Sequence, residues 1–147
     1  MKISQIMQRN LITLDMDDSL ASAKKLFEQH KVHHILIKDQ ARLAGVITDR
    51  DLWQNLSPTI GTSKETAQDS FNLNKKVHLI MVRDLVTVTE NVTLNEAVLL
   101  FHDRRISCLP VVDEQQRAIG IITWRDIIKL IALQYRQKLD KAANNKT

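Results

Sequence analysis

Glycine, proline and cysteine are scarce in this chain of 147 residues, which holds three glycines, two prolines and a single thiol. Each scarcity excludes something. Gly45, Gly61 and Gly120 stand too far apart to write a glycine-rich phosphate loop of the Walker or dinucleotide type. One cysteine, Cys108, permits neither an intramolecular disulfide nor a cysteine-based zinc cluster. Aromatic residues are 4% of the chain, too few for a platform on which single-stranded bases stack. No run approaches the roughly 18 apolar residues that cross a bilayer, and Met1-Lys2-Ile3-Ser4-Gln5 has no hydrophobic signal core. A soluble, cytoplasmic protein with no membrane span is expected.

What is present is apolar bulk, 44% of the residues, in a length that fits one compact domain or two very small ones. Lys and Arg number 21 against 17 Asp and Glu, a formal +4. The basic residues are spread along the chain and do not gather into a stripe, so a nucleic acid is not the expected partner.

The chain repeats itself. With Met7 set against Met81, an offset of 74, Arg9/Arg83, Leu11/Leu85, Thr13/Thr87, Leu20/Leu94, Ala23/Ala97, Phe27/Phe101 and Asp39/Asp113 coincide. One added residue in the second copy then aligns Gly45–Leu52 (GVITDRDL) with Gly120–Ile127 (GIITWRDI).

Both copies read in the same order. Leu11–Leu14 and Leu85–Val88 are short β-branched runs that suit an extended segment. Ser19 and Thr93 stand at helix N-cap positions, and Leu20, Ala23, Phe27 and Leu94, Ala97, Phe101 recur on one helical face. Two strands follow, Val32–Ile37 with Leu43–Ile47 and Ile106–Val112 with Ala118–Ile122. A second helix begins at Thr48 and at Thr123. The fold class is α+β, two tandem β-α-β-β-α repeats forming one pseudo-two-fold module. Repeat 1 spans residues 1–56, a connector 57–76, repeat 2 with an extended last helix 77–140, and a flexible tail 141–147. Within the connector Ser63 is expected to cap a helix from Lys64 to about Phe71. The last helix, from Arg125 to about Lys138, carries more apolar surface than one small unit needs, which points to a partner face.

The chemistry concentrates in a repeated Thr-x-x-Asp, Thr48–Asp51 and Thr123–Asp126, placed where a strand turns into a helix. A threonine N-cap answered by an acid three residues on is a capping box, which needs no ligand. The same junction presents free backbone N–H groups and the positive end of a helix dipole, an anion site that requires no glycine loop. Arg50 and Arg125, inside the motifs, supply a guanidinium for phosphate, and the aspartates suit ribose hydroxyls. Phosphate and ribose together indicate a nucleotide.

The doubled unit, with ISCLPVVDEQQRAIGIITWRDI in one copy and VHHILIKDQARLAGVITDRDL in the other, resembles the CBS domain, and the pair resembles a Bateman module. The resemblance implies a regulatory, non-enzymatic module that binds adenine nucleotides (AMP, ADP, ATP or S-adenosylmethionine) in clefts between the repeats. The ligand would be a regulator and no cofactor would be required; a triphosphate would bring Mg2+ with it. It further implies a homodimer of pairs, buried through the last helix and Leu20–Phe27 or Leu94–Phe101, and a partner enzyme or transporter that reads the ligand state.

Carried over residue by residue, one site takes Thr123, Arg125 and Asp126, with Leu109, Pro110 and Val111 near the base and Thr87 at the start of the unit. The other takes Thr48, Arg50 and Asp51, with Ile35, Leu36 and Ile37 near the base and Thr13 at the start. This copy departs from the family pattern: Leu36 stands for the proline and Lys38 for the valine. Trp124 either walls a cleft or packs. The alternative reading is a ligand-free dimeric scaffold whose Thr-x-x-Asp elements are caps alone.

Other residues fit blander roles. His30, His33 and His34 lack a metal-ligand spacing and have Arg104, Ser107 and Cys108 as counterparts. Cys108, in an apolar strand, reads as a buried inert thiol, and His102-Asp103 has no nucleophile partner.

Overall fold

The computed structural model describes residues 1–144. In the first repeat β1 (Thr13–Asp15) lies parallel to β2 (His34–Asp39), which runs antiparallel to β3 (Arg42–Thr48). Helix α1 (Leu20–Gln29) connects β1 to β2, and α2 (Asp49–Gln54) leaves the end of β3. The second repeat has α4 (Leu94–Arg104), β4 (Cys108–Val112), β5 (Ala118–Thr123) and α5 (Trp124–Asn144). Its expected first strand, Leu85–Val88, shrinks to one parallel bridge between Val88 and Val111, so the sheet here has two strands.

The caps fall where the sequence places them. Ser19 accepts the Ser22 N–H, and Thr93 forms a full capping box with Glu96. In the connector the cap is Thr66 and not Ser63: Thr66 and Asp69 form a third Thr-x-x-Asp box, and α3 runs Ala67–Leu73. Asp69, 4% exposed, accepts the Thr59 hydroxyl at 2.5 Å and the Thr66 N–H at 2.9 Å. These bonds hold its carboxyl below the ordinary range. Ile60 and Leu73 pack the connector onto the first core. The last helix continues to Asn144, past the 141 at which a flexible tail was expected. The remainder of that expected tail, 145–147, lies outside the described residues.

Strand alternation sorts the side chains into three clusters. Ile35, Ile37 and Ile47 face Leu20, Ala23 and Leu52 of their own helices. Leu109, Val111 and Ile122 do the same with Ala97 and Ile127. The intervening residues Leu36, Val46 and Ile121 form a third cluster that joins the repeats, with Leu11, Leu85 and Cys108 against it.

The two repeat cores exchange segments. A 3-10 turn at Ile3–Gln5 and then Met7 belong to the core of the second repeat, while Val77 and Met81 belong to the core of the first. The backbone ties match: the Ile3 N–H donates to Val92 O and Gln8 pairs reciprocally with Ile121, whereas the Val77 N–H donates to Asp18 O and Val82 pairs with Val46. The equivalent placement of Gly45 and Gly120 in the two copies has its cause here. A Cβ on Gly45 would stand 2.5 Å from the Met81 sulfur, and one on Gly120 2.5 Å from the Met7 sulfur. Each glycine makes room for the methionine of the crossing segment.

The apolar helix faces left exposed are narrower than expected. Leu20 and Ala23 are buried in the first core and Leu26 and Phe27 pack against it, so that side of α1 is occupied within the chain. Leu94 and Phe101 likewise pack on the second core, and Val98 and Leu99 stay exposed. On α5, Ile127 is buried while Ile128, Ile131, Tyr135 and Leu139 are each more than half exposed.

Candidate functional site

At the start of α5 the Thr123 N–H and hydroxyl both donate to Asp126 Oδ2, each at 2.8 Å, and Gln8 Nε2 donates to Oδ1 at 2.8 Å. Asp126 is therefore fixed by the helix it caps and by the segment crossing from the first repeat. At α2 the box is the local one alone: Asp51 Oδ2 accepts the Thr48 N–H, and Thr48 Oγ1 accepts the Asp51 N–H, both at 3.0 Å. The counterpart of Gln8 is Val82, whose side chain has no hydrogen-bond donor.

A cleft of about 220 Å³ opens in front of Thr123, Arg125 and Asp126. Its opposite wall comes from the other repeat: Asn10, Leu11 and Ile12 ahead of β1, then Lys31 to His34 and Leu36 of β2. A second cleft of about 310 Å³ opens in front of Thr48 and Val46. Facing them are Asp84, Leu85, Val86, the stretch Arg105–Cys108, and Pro110. Under the repeat offset these two walls are the same surface used twice: Asn10 answers to Asp84, Lys31 to Arg105, His34 to Cys108, Leu36 to Pro110.

The clefts are equivalent in construction but not in content. Arg125 and Asp126 line the first, whereas their counterparts Arg50 and Asp51 do not line the second. Arg50 sits instead in a shallow groove between the helix starts, which shares His33, His34 and Arg125 with the first cleft and Thr48, Ser107 and Trp124 with the second. Trp124 walls the second cleft, and the Arg125 guanidinium lies 5.1 Å from its ring centroid.

Both clefts share His34, whose Nε2 lies 2.9 Å from Ser107 Oγ of the other repeat. Burial lowers its pKa, and the neighbouring His33 and Arg125 push in the same direction. Cys108, at the equivalent position, has its thiol pushed up to about 12 by burial. Burial thus pushes both groups towards their neutral forms. His33 is tied to Asp49, Nδ1 to Oδ2 at 2.8 Å.

Of the residues singled out in the sequence, the structure brings Thr123, Arg125, Asp126 and Leu36 into one cleft, and Thr48 and Pro110 into the other. Two corrections follow. First, each threonine faces the strand of the opposite repeat, so Thr123 is matched with Leu36 and Thr48 with Pro110. Second, Ile35, Ile37, Leu109 and Val111 belong to the two repeat cores. They point into the cores, as the period of two along a strand requires, and line neither cleft. Thr13 and Thr87 are half-buried one position beyond the cleft residues Ile12 and Val86. Gln8, Lys31, His34, Asp84 and Arg105 line the clefts without a motif of their own. The offset between copies would have paired them, but only the relative placement of the repeats shows that they face a cleft.

No helix among the described residues is long and apolar enough to cross a membrane. The solved CBS domain pair of protein MJ0100, in complex with 5'-methylthioadenosine and S-adenosyl-L-methionine, is 26% identical with a TM-score of 0.75, over 91% of this chain and 98% of that one. The structure of CBSX2 in complex with AMP is 25% identical with a TM-score of 0.73, over 92% and 98%. Among curated proteins, a CBS domain-containing protein of Dictyostelium discoideum is 31% identical over 88% of this chain and 90% of its own length. Inosine-5'-monophosphate dehydrogenase of Methanocaldococcus jannaschii is 32% identical over 99% of this chain, which spans only 25% of that enzyme. The CBS domain family model matches residues 3–52 and 76–133, the two repeats with the crossing segment at the head of each. The chain is a tandem CBS pair and belongs to the CBS domain family.

Proposed function

We propose that this CBS pair is a regulatory module that binds an adenine nucleotide (AMP, ADP, ATP or S-adenosylmethionine) between its repeats and carries out no reaction itself. The observation that carries the reading is the first cleft. There a helix start, the Thr123 hydroxyl, the Arg125 guanidinium and the Asp126 carboxylate face an apolar wall of Leu11, Ile12 and Leu36 from the other repeat. The helix start and Arg125 suit phosphate, Asp126 suits ribose hydroxyls, and the apolar wall suits the base. The ligands held by the MJ0100 and CBSX2 structures are all adenosine derivatives.

The exposed row Ile128, Ile131, Tyr135 and Leu139 supports a homodimer through α5. A ligand wedged between the repeats shifts their relative orientation, and a partner enzyme or transporter responds if it favours one orientation. A second reading has one observation in its favour. The Thr66–Asp69 box has the same sequence form yet only caps α3, so the motif alone makes no site. Under that reading the pair is a ligand-free scaffold.

Calorimetry with AMP, ADP, ATP and S-adenosylmethionine separates the two. Binding that weakens in Asp51→Ala plus Asp126→Ala supports the regulatory module. No binding by any of the four, or binding unchanged in the double variant while the fold loses a cap-sized increment of about 1 kcal/mol, leaves the scaffold.

A further inference from the structure

The two clefts are one surface used twice, so the positions at which they differ give them different charge. Around the first, the charged side chains are Lys31, Arg125 and Asp126, and the Asp126 carboxylate already accepts from Thr123 and Gln8. Two cations stand there beside one hydrogen-bonded carboxylate. Around the second, Arg50 and Asp51 are absent from the wall, Gln8 is replaced by Val82, and Asn10 is replaced by Asp84. Asp84 is exposed, and its carboxylate carries no hydrogen bond or ion pair among the described residues. The remaining wall is largely apolar, with Val86, Ile106, Pro110 and the Trp124 ring, and the one cation is Arg105.

A phosphate entering the first cleft meets two cations and a helix start. In the second it meets the Thr48 helix start and one cation, Arg105, but also the free Asp84 carboxylate, which repels it, and an indole face. The indole face instead favours a flat base or a cation. Resting on the proposed binding of adenine ligands between the repeats, we infer that the two clefts divide the ligand classes: the Lys31–Arg125 cleft takes a nucleotide through its phosphate, and the Asp84–Trp124 cleft takes an adenosyl compound that carries no phosphate and is neutral or cationic at its 5' end.

The probes are AMP, adenosine and S-adenosylmethionine, titrated calorimetrically into the full chain and into two variants. Lys31→Ala leaves both capping boxes and the Arg125–Trp124 stack untouched. Asp84→Asn gives the second cleft the polar group that the first has at Asn10. Wild type is expected to bind one AMP per chain and to bind S-adenosylmethionine alongside bound AMP. Lys31→Ala weakens AMP by roughly tenfold while shifting adenosine less than about twofold, and Asp84→Asn admits a second AMP at least roughly tenfold tighter than wild type does. Two AMP molecules of equal affinity on wild type, competition between AMP and S-adenosylmethionine for one place, or equal losses of AMP and adenosine in Lys31→Ala would each overturn the division while leaving the adenine reading in place. No binding of any probe removes the adenine reading and the division with it.

Discussion

Replacing Gly45 with alanine tests whether the crossing segments are what the glycines accommodate. The new methyl carbon would stand 2.5 Å from the Met81 sulfur, 2.8 Å from its Cγ and 3.0 Å from the Val82 carbonyl oxygen. The methionine is flexible and can turn away at some cost in packing. The carbonyl cannot, because it accepts the Val46 N–H at 3.1 Å and so fastens the segment to β3. Overpacking of this kind costs about 1–3 kcal/mol, and a stiffer unfolded chain returns about 0.4–1 kcal/mol. A net loss of about 1–2 kcal/mol is expected, which at this chain length lowers Tm by roughly 2–8 °C. Gly120→Ala is the control, since its three nearest obstacles are all atoms of the Met7 side chain. Rotation of that side chain relieves the clash, and the net change stays within about 1 kcal/mol. Calorimetric melting of both variants and wild type decides the matter. Gly45→Ala melting with wild type, or Gly120→Ala melting below Gly45→Ala, refutes the argument.

Three further outcomes follow from the titrating groups. The lowered pKa of His34 means that the folded chain takes up its proton less readily than the unfolded chain. Stability therefore falls as pH drops from about 6.5 towards 5, and His34→Gln, which keeps a partner for Ser107, flattens that loss in guanidinium midpoints. Equal losses in both proteins would remove the histidine from the account. Asp69 has the opposite sign: its carboxyl is held low, so its contribution is present above about pH 3.8 and disappears as pH falls through its folded value. The Tm gap between wild type and Asp69→Asn should be open at pH 7 and narrow at pH 3; a constant gap contradicts it. Cys108, raised from 9.0 to about 12, has about a thousandfold less thiolate at pH 8 than an ordinary thiol. Alkylation by iodoacetamide, followed by mass spectrometry, should be slower by a similar factor, and a rate near that of a free thiol would show an open wall.

The fold was legible because the repeat makes every local signal appear twice. The caps at Ser19 and Thr93, the Thr48 and Thr123 junctions and both strand pairs come from short-range chemistry, and they stand where the sequence puts them. Thr66-x-x-Asp69 has the same form as the Thr48 and Thr123 motifs, so the connector cap is written in the sequence at Thr66 and not at Ser63. The cleft walls were less legible for a physical reason. Alternation along β2 and β4 separates Leu36 from Ile35 and Ile37, and Pro110 from Leu109 and Val111, but which face meets the other repeat depends on packing between the copies. Two similar surfaces leave the choice of partner open in sequence. Lys31 and Asp84, which carry no motif, show their role only once the walls are assembled.

The exchange of residues 1–8 and 76–82 between the cores bears on how this molecule is made and taken apart. A fragment cut at the repeat boundary, such as 1–56, would carry Ile3 and Met7 with no core to receive them and would lack the Val77 and Met81 that fill its own. Neither half has a complete core of its own, so unfolding should proceed in one cooperative step and refolding should wait on contacts as distant in the chain as Ile3 with Val92. Gln8 belongs to the same late-closing segment and hydrogen-bonds Asp126 in the first cleft. Nicking the connector would leave the pair joined, and a binding-competent cleft would exist only after both ends of the swap had closed.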